Sequence, residues 1–117
     1  MYIKSFKELI VWQKSILLVK EIYRTTDKMP KEELYGLVSQ MRRCAVSIPS
    51  NIAEGKKRNT RKDFLKFLSI SDGSAAELET QIIIAKDLFD GIDFYKTELL
   101  LEEVQKMLTV MIKKLKE

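Results

Sequence analysis

The most constraining feature is a stripe of eight positions in the second half of the chain: Phe64, Leu68, Ser71, Ala75, Leu78, Ile82, Ala85 and Phe89. The spacing alternates four and three residues from end to end. A strand shows its faces every second residue, so only a helix keeps these side chains on one side. A seven-residue period over this length specifies knobs-into-holes packing against other helices, with crossings near 20°. The stripe carries Ser71, Gly73, Ser74, Ala75 and Ala76 at its middle, which lets another helix approach closely.

Three further segments carry the same signature. The first, about 7–26, has Leu9, Trp12, Ile16, Val19 and Tyr23 on its expected seam, with Ile10, Leu17, Leu18 and Ile22 widening the face. It ends before Pro30, because the residue preceding proline avoids helical angles. The second, about 31–57, has Leu34, Val38, Met41, Ala45, Ile48, Ile52 and Gly55 in phase. Pro49 falls inside that pattern without disturbing it, which predicts a helix kinked at Pro49 and leaves the Ala45 carbonyl for a side chain or water to satisfy. The third covers about 60–89, with Thr60 as its cap. The fourth covers about 94–116, capped by Asp93, with a seam of Leu101, Val104, Leu108, Met111 and Leu115. Short connections make neighbours antiparallel. The expected fold is an all-α, up-down-up-down four-helix bundle forming one domain over 1–117.

The 117 residues suffice for a core without disulfide or metal. The start, Met1 to Phe6, shows no leader pattern, and no apolar run approaches the ~20 residues a membrane span requires. The single cysteine, Cys44, fits a reducing cytoplasm and reads as packing. Histidine is absent, which removes His-based triads, the usual zinc sets and the Glu-x-x-His ligands of di-iron bundles. No phosphate-binding loop or dinucleotide fingerprint is present. The expectation is a protein that is not an enzyme and has no cofactor or metal.

Two features remain. Ser47, Asn51, Glu54 and Arg58 form a polar stripe beside the apolar seam of the second helix, and Ser74, Glu77 and Gln81 form a matching one on the third. Polar groups this close to a core need partners, so the stripes either specify helix register or build a ligand or partner site. Hairpin register brings Glu77 level with Met41 to Arg43, predicting a semi-buried contact of Glu77 with Arg42 or Arg43. The other feature is charge. Net charge is +4, yet Arg42 to Lys66 holds eight basic and two acidic residues. Lys56, Lys57, Arg58, Arg61 and Lys62 cluster at the corner between helices two and three and, with Arg42 and Arg43, form a candidate surface for a nucleic-acid backbone. Aromatic residues are not interleaved with the cluster, which favours backbone contact over base stacking. Lys113, Lys114 and Lys116 are accounted for by the negative end of the last helix.

Several of these residues also carry a resemblance: Phe6-x-x-Leu9-x-Val-Trp-Gln-Lys14, Tyr35-Gly-Leu37, Gln40-x-Arg-Arg43, Ser47-Ile-Pro49-Ser-Asn51-Ile-Ala-Glu54-Gly55 and Gly73-Ser74-x-x-Glu77-Leu78. In this order they resemble the bacterial four-helix-bundle proteins encoded in intervening sequences of 23S ribosomal RNA genes, often labelled S23 ribosomal protein. The resemblance covers nearly the whole chain. It implies a homopentamer around a central channel, and relatedness to accessory proteins of diversity-generating retroelements, which have a basic surface for nucleic acid and a protein partner. Two functions follow as expectations: an oligomer binding RNA or DNA through the basic corner, or an oligomeric scaffold for a protein partner.

Overall fold

The computed structural model describes residues 5–117, so the leader reading of Met1 to Lys4 lies outside the described residues. Four helices follow one another: α1 Ile10–Thr26, α2 Leu37–Lys57, α3 Arg61–Leu88 and α4 Tyr95–Lys116. Short 3-10 turns at Phe6–Glu8 and Lys31–Glu33 precede α1 and α2. No strand occurs among the described residues, and no described helix is long and apolar enough to cross a membrane.

Side-chain contacts fix the directions. Between α1 and α2, Arg42 reaches back to Thr26, while Trp12 lies beside Pro49 and Ala53. Between α2 and α3, Ser47 meets Ser74 and Cys44 meets Gln81. Between α3 and α4, Lys86 pairs with Glu98 and Gln105 donates to Glu79. Thr25 meets Thr97 and Lys14 meets Glu103 between α1 and α4. Each neighbour runs antiparallel, giving an up-down-up-down ring about 45 Å long and 21 by 20 Å across.

The core forms where the stripes converge. Leu18, Ile22, Met41, Ile48, Ile52, Leu68, Leu78, Ile82 and Leu108 are fully buried, each worth about 1.5–3 kcal/mol of transfer free energy. On α3 the stripe residues Leu68, Ser71, Ala75, Leu78, Ile82 and Ala85 are buried as the spacing requires, together with Ser74 and Gln81 beside them, while Phe64 and Phe89 at its ends are half-buried. On α4 it is Leu101, Val104 and Leu108, with Met111 and Leu115 half-buried.

The seam of α1 differs from expectation. Its buried face is Val11, Ser15, Leu18, Glu21, Ile22, Thr25 and Thr26, whereas Leu9, Trp12, Ile16 and Val19 are half-buried and Tyr23 is exposed. Hydroxyls explain the shift. Ser15 donates to the Trp12 carbonyl at 2.7 Å, Thr26 donates to the Ile22 carbonyl at 2.6 Å, and Thr25 bonds Thr97 at 3.2 Å. Polar atoms satisfied in this way can occupy a core, so a stripe ranked by apolar residues alone falls one position over.

The start of α2 also differs. Glu33 N donates to the Pro30 carbonyl and Gly36 N to the Glu33 carbonyl, both i to i+3 bonds, so residues 31–36 wind more tightly than an α-helix. Leu34 therefore leaves the expected seam and is 45% exposed, and Tyr35 is 94% exposed. Beyond Leu37 the helix continues through Pro49. Nearby side-chain donors go to the carbonyls of Val46, Ser47 and Ile48, from Ser50, Asn51 and Ser71 respectively, and not to that of Ala45.

Candidate nucleic-acid interface

The basic corner is built on a close approach. Gly55 is buried, and a Cβ there would lie 2.8 Å from Phe67 Cβ and 3.0 Å from Phe64 Cδ1. Only glycine lets the last turn of α2 press against the first turns of α3. The connection is three residues, Arg58 to Thr60, and Thr60 Oγ1 accepts from Asp63 N at 3.1 Å to cap α3. The backbone carrying the cations is thus held at both ends.

The five cations of the corner divide into two kinds. Arg58 bonds Glu54 at 2.8 Å and lies 4.9 Å from the centre of the Phe67 ring. Lys56 is half-buried, 6.0 Å from the Phe64 ring, and Lys66 lies 5.8 Å from the Phe67 ring. Lys57, Arg61 and Lys62 are exposed, and no carboxylate among the described residues pairs with them. Their full charge faces outward, while the two aromatic rings beside them are packed on Gly55 or covered by cations.

Arg42 and Arg43 do not join this corner. They precede Lys56 by fourteen and thirteen residues, about 20 Å along the helix at 1.5 Å per residue. Arg42 is a tie between helices: Nε donates to Thr26 Oγ1 at 3.0 Å, and the guanidinium stacks 4.5 Å over the Tyr23 ring. Arg43 is exposed beside a groove of about 470 Å³ that Tyr23, Leu34, Tyr35 and Val46 also line. Neither arginine pairs with Glu77, contrary to the expected contact. Glu77 is exposed at about the predicted register, but Cys44 Sγ donates to its carboxylate at 3.8 Å instead. The shorter cysteine occupies the inward position, while Arg42 turns to Thr26 and Tyr23 of α1 and Arg43 lines the groove beside them.

One bond joins the two polar stripes directly, others run within a stripe or to Cys44, and Gln81 Oε1 is buried without a partner among the described residues. Ser47 and Ser74 meet at 2.9 Å, Asn51 Nδ2 donates to Ser47 Oγ at 3.0 Å, and Gln81 Nε2 donates to Cys44 Sγ at 3.4 Å. These contacts pin the register of α2 against α3. Burial and the Glu77 charge raise the pKa of Cys44, although the Gln81 bond opposes them. That keeps the thiol protonated and unreactive. No group of three metal-binding side chains occurs among the described residues. Pro49 is buried against α1, and Gly73 faces open space, with no atom within 4 Å of where a Cβ would stand.

The fold adds an association that the linear chain hides. The antiparallel ring puts the start of α1, the end of α2, the start of α3 and the end of α4 at one end of the bundle. That end, counted over 5–8, 54–66 and 110–117, carries ten basic and four acidic residues. The opposite end, over 21–36 and 86–98, carries five basic and eight acidic residues. The molecule is electrically polarised along its long axis.

Residues 7–110 match the model of the 23S rRNA-intervening sequence protein family. The chain belongs to that family. A search of curated proteins returned no match. The matched span takes in α1 to α3 and most of α4, so the corner, the polar seam and the Ser47 to Gly55 segment all lie within the part shared with the family. The last lysines of α4, Lys113, Lys114 and Lys116, fall just beyond it.

Proposed function

We propose that this family member is a non-enzymatic, oligomeric bundle that binds the backbone of RNA or DNA at the α2–α3 corner. The observation that carries this reading is the trio Lys57, Arg61 and Lys62, exposed and unpaired on a turn fixed by Gly55 and Thr60. Unpaired cations retain their attraction for phosphate, and a fixed turn loses little conformational freedom on binding. Phosphate contact needs no base-specific geometry, which agrees with the covered aromatic rings. Such a role belongs in the cytoplasm, where the lone thiol of Cys44 stays reduced.

Oligomerisation is the other half of the proposal. Trp12, Ile16, Val19, Val46, Pro49 and Ala53 line a largely apolar groove of about 290 Å³ between α1 and α2. The groove beside Tyr23, Leu34 and Tyr35 extends it. A second copy covering this face would repeat the basic corner around a ring, a homopentamer by family resemblance, and multivalency raises avidity by ~10²–10⁴. The same exposed face favours a second reading, in which the oligomer is a scaffold for a protein partner and binds no nucleic acid.

Mobility shifts with RNA and duplex DNA, run on protein of measured oligomeric state, separate the two. Reversing charge at Lys56, Lys57, Arg58, Arg61 and Lys62 together should abolish the shift while circular dichroism stays helical. Absence of any shift by the unaltered protein at ~50 mM salt decides for the scaffold.

A further inference from the structure

We propose that the nucleic-acid site is the whole basic end of the bundle, a two-armed surface for a double-stranded phosphate backbone. Lys113, Lys114 and Lys116 of α4 form the second arm, opposite Lys57, Arg61 and Lys62. This rests on the nucleic-acid reading above and names its ligand class and its further binding residues.

The lysines of α4 have an adequate local explanation as counter-charges to a helix end. Their position adds a second one. All three are exposed, and α4 packs between α1 and α3 with its C-terminus at the same end as the α2–α3 corner. Neighbouring helix axes lie about 8–10 Å apart, so Arg61 and Lys62, at the start of α3, stand one helix spacing from α4, while Lys57, at the end of α2, stands across the diagonal of the ring at about 11–14 Å. Lys57 and the α4 lysines are therefore separated across the bundle by about the width of the major groove of B-DNA, about 12 Å. Long lysine and arginine side chains can reach phosphates on both rims of a groove of that width.

The rings at this end favour a duplex over a single strand. Binding of single strands draws on bases stacked upon free aromatic faces. Here Phe64 and Phe67 are pressed against Gly55 and overlaid by Lys56, Arg58 and Lys66. Phe6, also at this end, is half-buried and packed edge-on against Trp12, with ring centres 5.4 Å apart, so a single strand finds cations but no free stacking platform. A duplex offers one charge per about 1.7 Å of axis and two phosphate rows, which is what two cationic arms match.

The test is fluorescence anisotropy with a labelled 20-base-pair duplex, as DNA and as RNA, and with one strand of each alone, across a salt series. Lys113→Gln/Lys114→Gln/Lys116→Gln should weaken duplex binding by about tenfold or more and lower the salt slope by about 2–3, at about 0.9 per phosphate contact. The unaltered protein should prefer duplex to single strand, and the DNA and RNA arms show which duplex source is favoured. If the α4 variant keeps full affinity and slope while Lys57→Gln/Arg61→Gln/Lys62→Gln abolishes binding, the second arm is wrong and the corner reading stands. Single strands bound as tightly as duplex overturn the ligand class. If the unaltered protein binds none of the four probes at ~50 mM salt, this inference and the nucleic-acid reading fall together. Circular dichroism on both variants keeps loss of fold from counting as loss of contact.

Discussion

The two ends of this bundle are built differently. At the end where α1 gives way to α2, several charged and polar groups bond one another, while Asp27, Lys28, Lys31, Glu32, Asp87 and Asp90 are exposed and form no ion pair among the described residues. Glu21 pairs with both Arg24 and Lys96, Lys86 with Glu98, Arg42 with Thr26, and Thr25 with Thr97 across the core. At the end where α2 turns into α3, the helices approach closely at Gly55, and Lys57, Arg61 and Lys62 are left without partners. One end ties its helices together with polar groups and leaves unpaired charges of both signs with acid in excess, and the other keeps mainly cations on a rigid backbone. The clustering of free charge of one sign sets Lys57, Arg61 and Lys62 apart from Arg42, which ties two helices, and from the mixed charges of the other end.

Substitutions test that contrast, beginning with the largest effect. Gly55→Ala should destabilise the fold by about 1–3 kcal/mol, because the new methyl overlaps Phe67 and Phe64. That outweighs the gain of about 1 kcal/mol that alanine brings to an open helix position. Urea unfolding monitored by circular dichroism measures it. Equal or higher stability would show that the corner is not clamped by this close approach.

Arg42→Ala comes next. It removes a hydrogen bond to Thr26, a longer one to the Tyr23 carbonyl and the stacking over Tyr23, a loss of about 1–2 kcal/mol. Nucleic-acid affinity should stay within about twofold, since Arg42 contributes no free charge to the corner. A large loss of affinity with unchanged stability would reverse the contrast between the ends.

Gly73→Ala has the opposite sign. Nothing lies within 4 Å of the added atom, so the isolated subunit should gain about 0.5–1 kcal/mol from reduced unfolded-state freedom. If Gly73 is covered in the oligomer, sedimentation will show weaker assembly alongside that gain.

The smallest effect concerns Cys44. Burial raises its thiol pKa from an ordinary value of 9.0. The folded state therefore binds the proton more tightly, its contribution is full below the unfolded pKa, and it is lost as pH rises through the folded pKa. Cys44→Ala should flatten the fall in stability above about pH 9, measured by unfolding at a series of alkaline pH values.

Much of the fold is legible in the sequence. The α3 stripe from Leu68 to Ala85 has the strict alternation only a packed helix sustains, and it is buried as its spacing demands. Apolar periodicity misplaces the α1 face because Ser15 and Thr25 enter the core with their hydroxyls already bonded, a satisfaction that hydropathy does not register. Residues 31–36 mislead through Pro30 and two glutamates, which suit a helix start but equally suit a 3-10 turn. For the site, the clustering of Lys56 to Lys62 is visible along the chain. The association of Lys113, Lys114 and Lys116 with that cluster is not, since it depends on the antiparallel ring bringing distant segments to one end. The separation of Arg42 from the corner likewise follows from helix length.

That free cations at one end bind phosphate is tested most directly by the dependence of duplex affinity on salt. It is measured from ~50 to ~200 mM with the unaltered protein and the Lys57→Gln/Arg61→Gln/Lys62→Gln variant. Phosphate binding predicts a straight line of log affinity against log salt with slope about −3 to −5 for the unaltered protein, and binding lost in the variant. A slope near zero, or a variant that binds as well as the original, would contradict it.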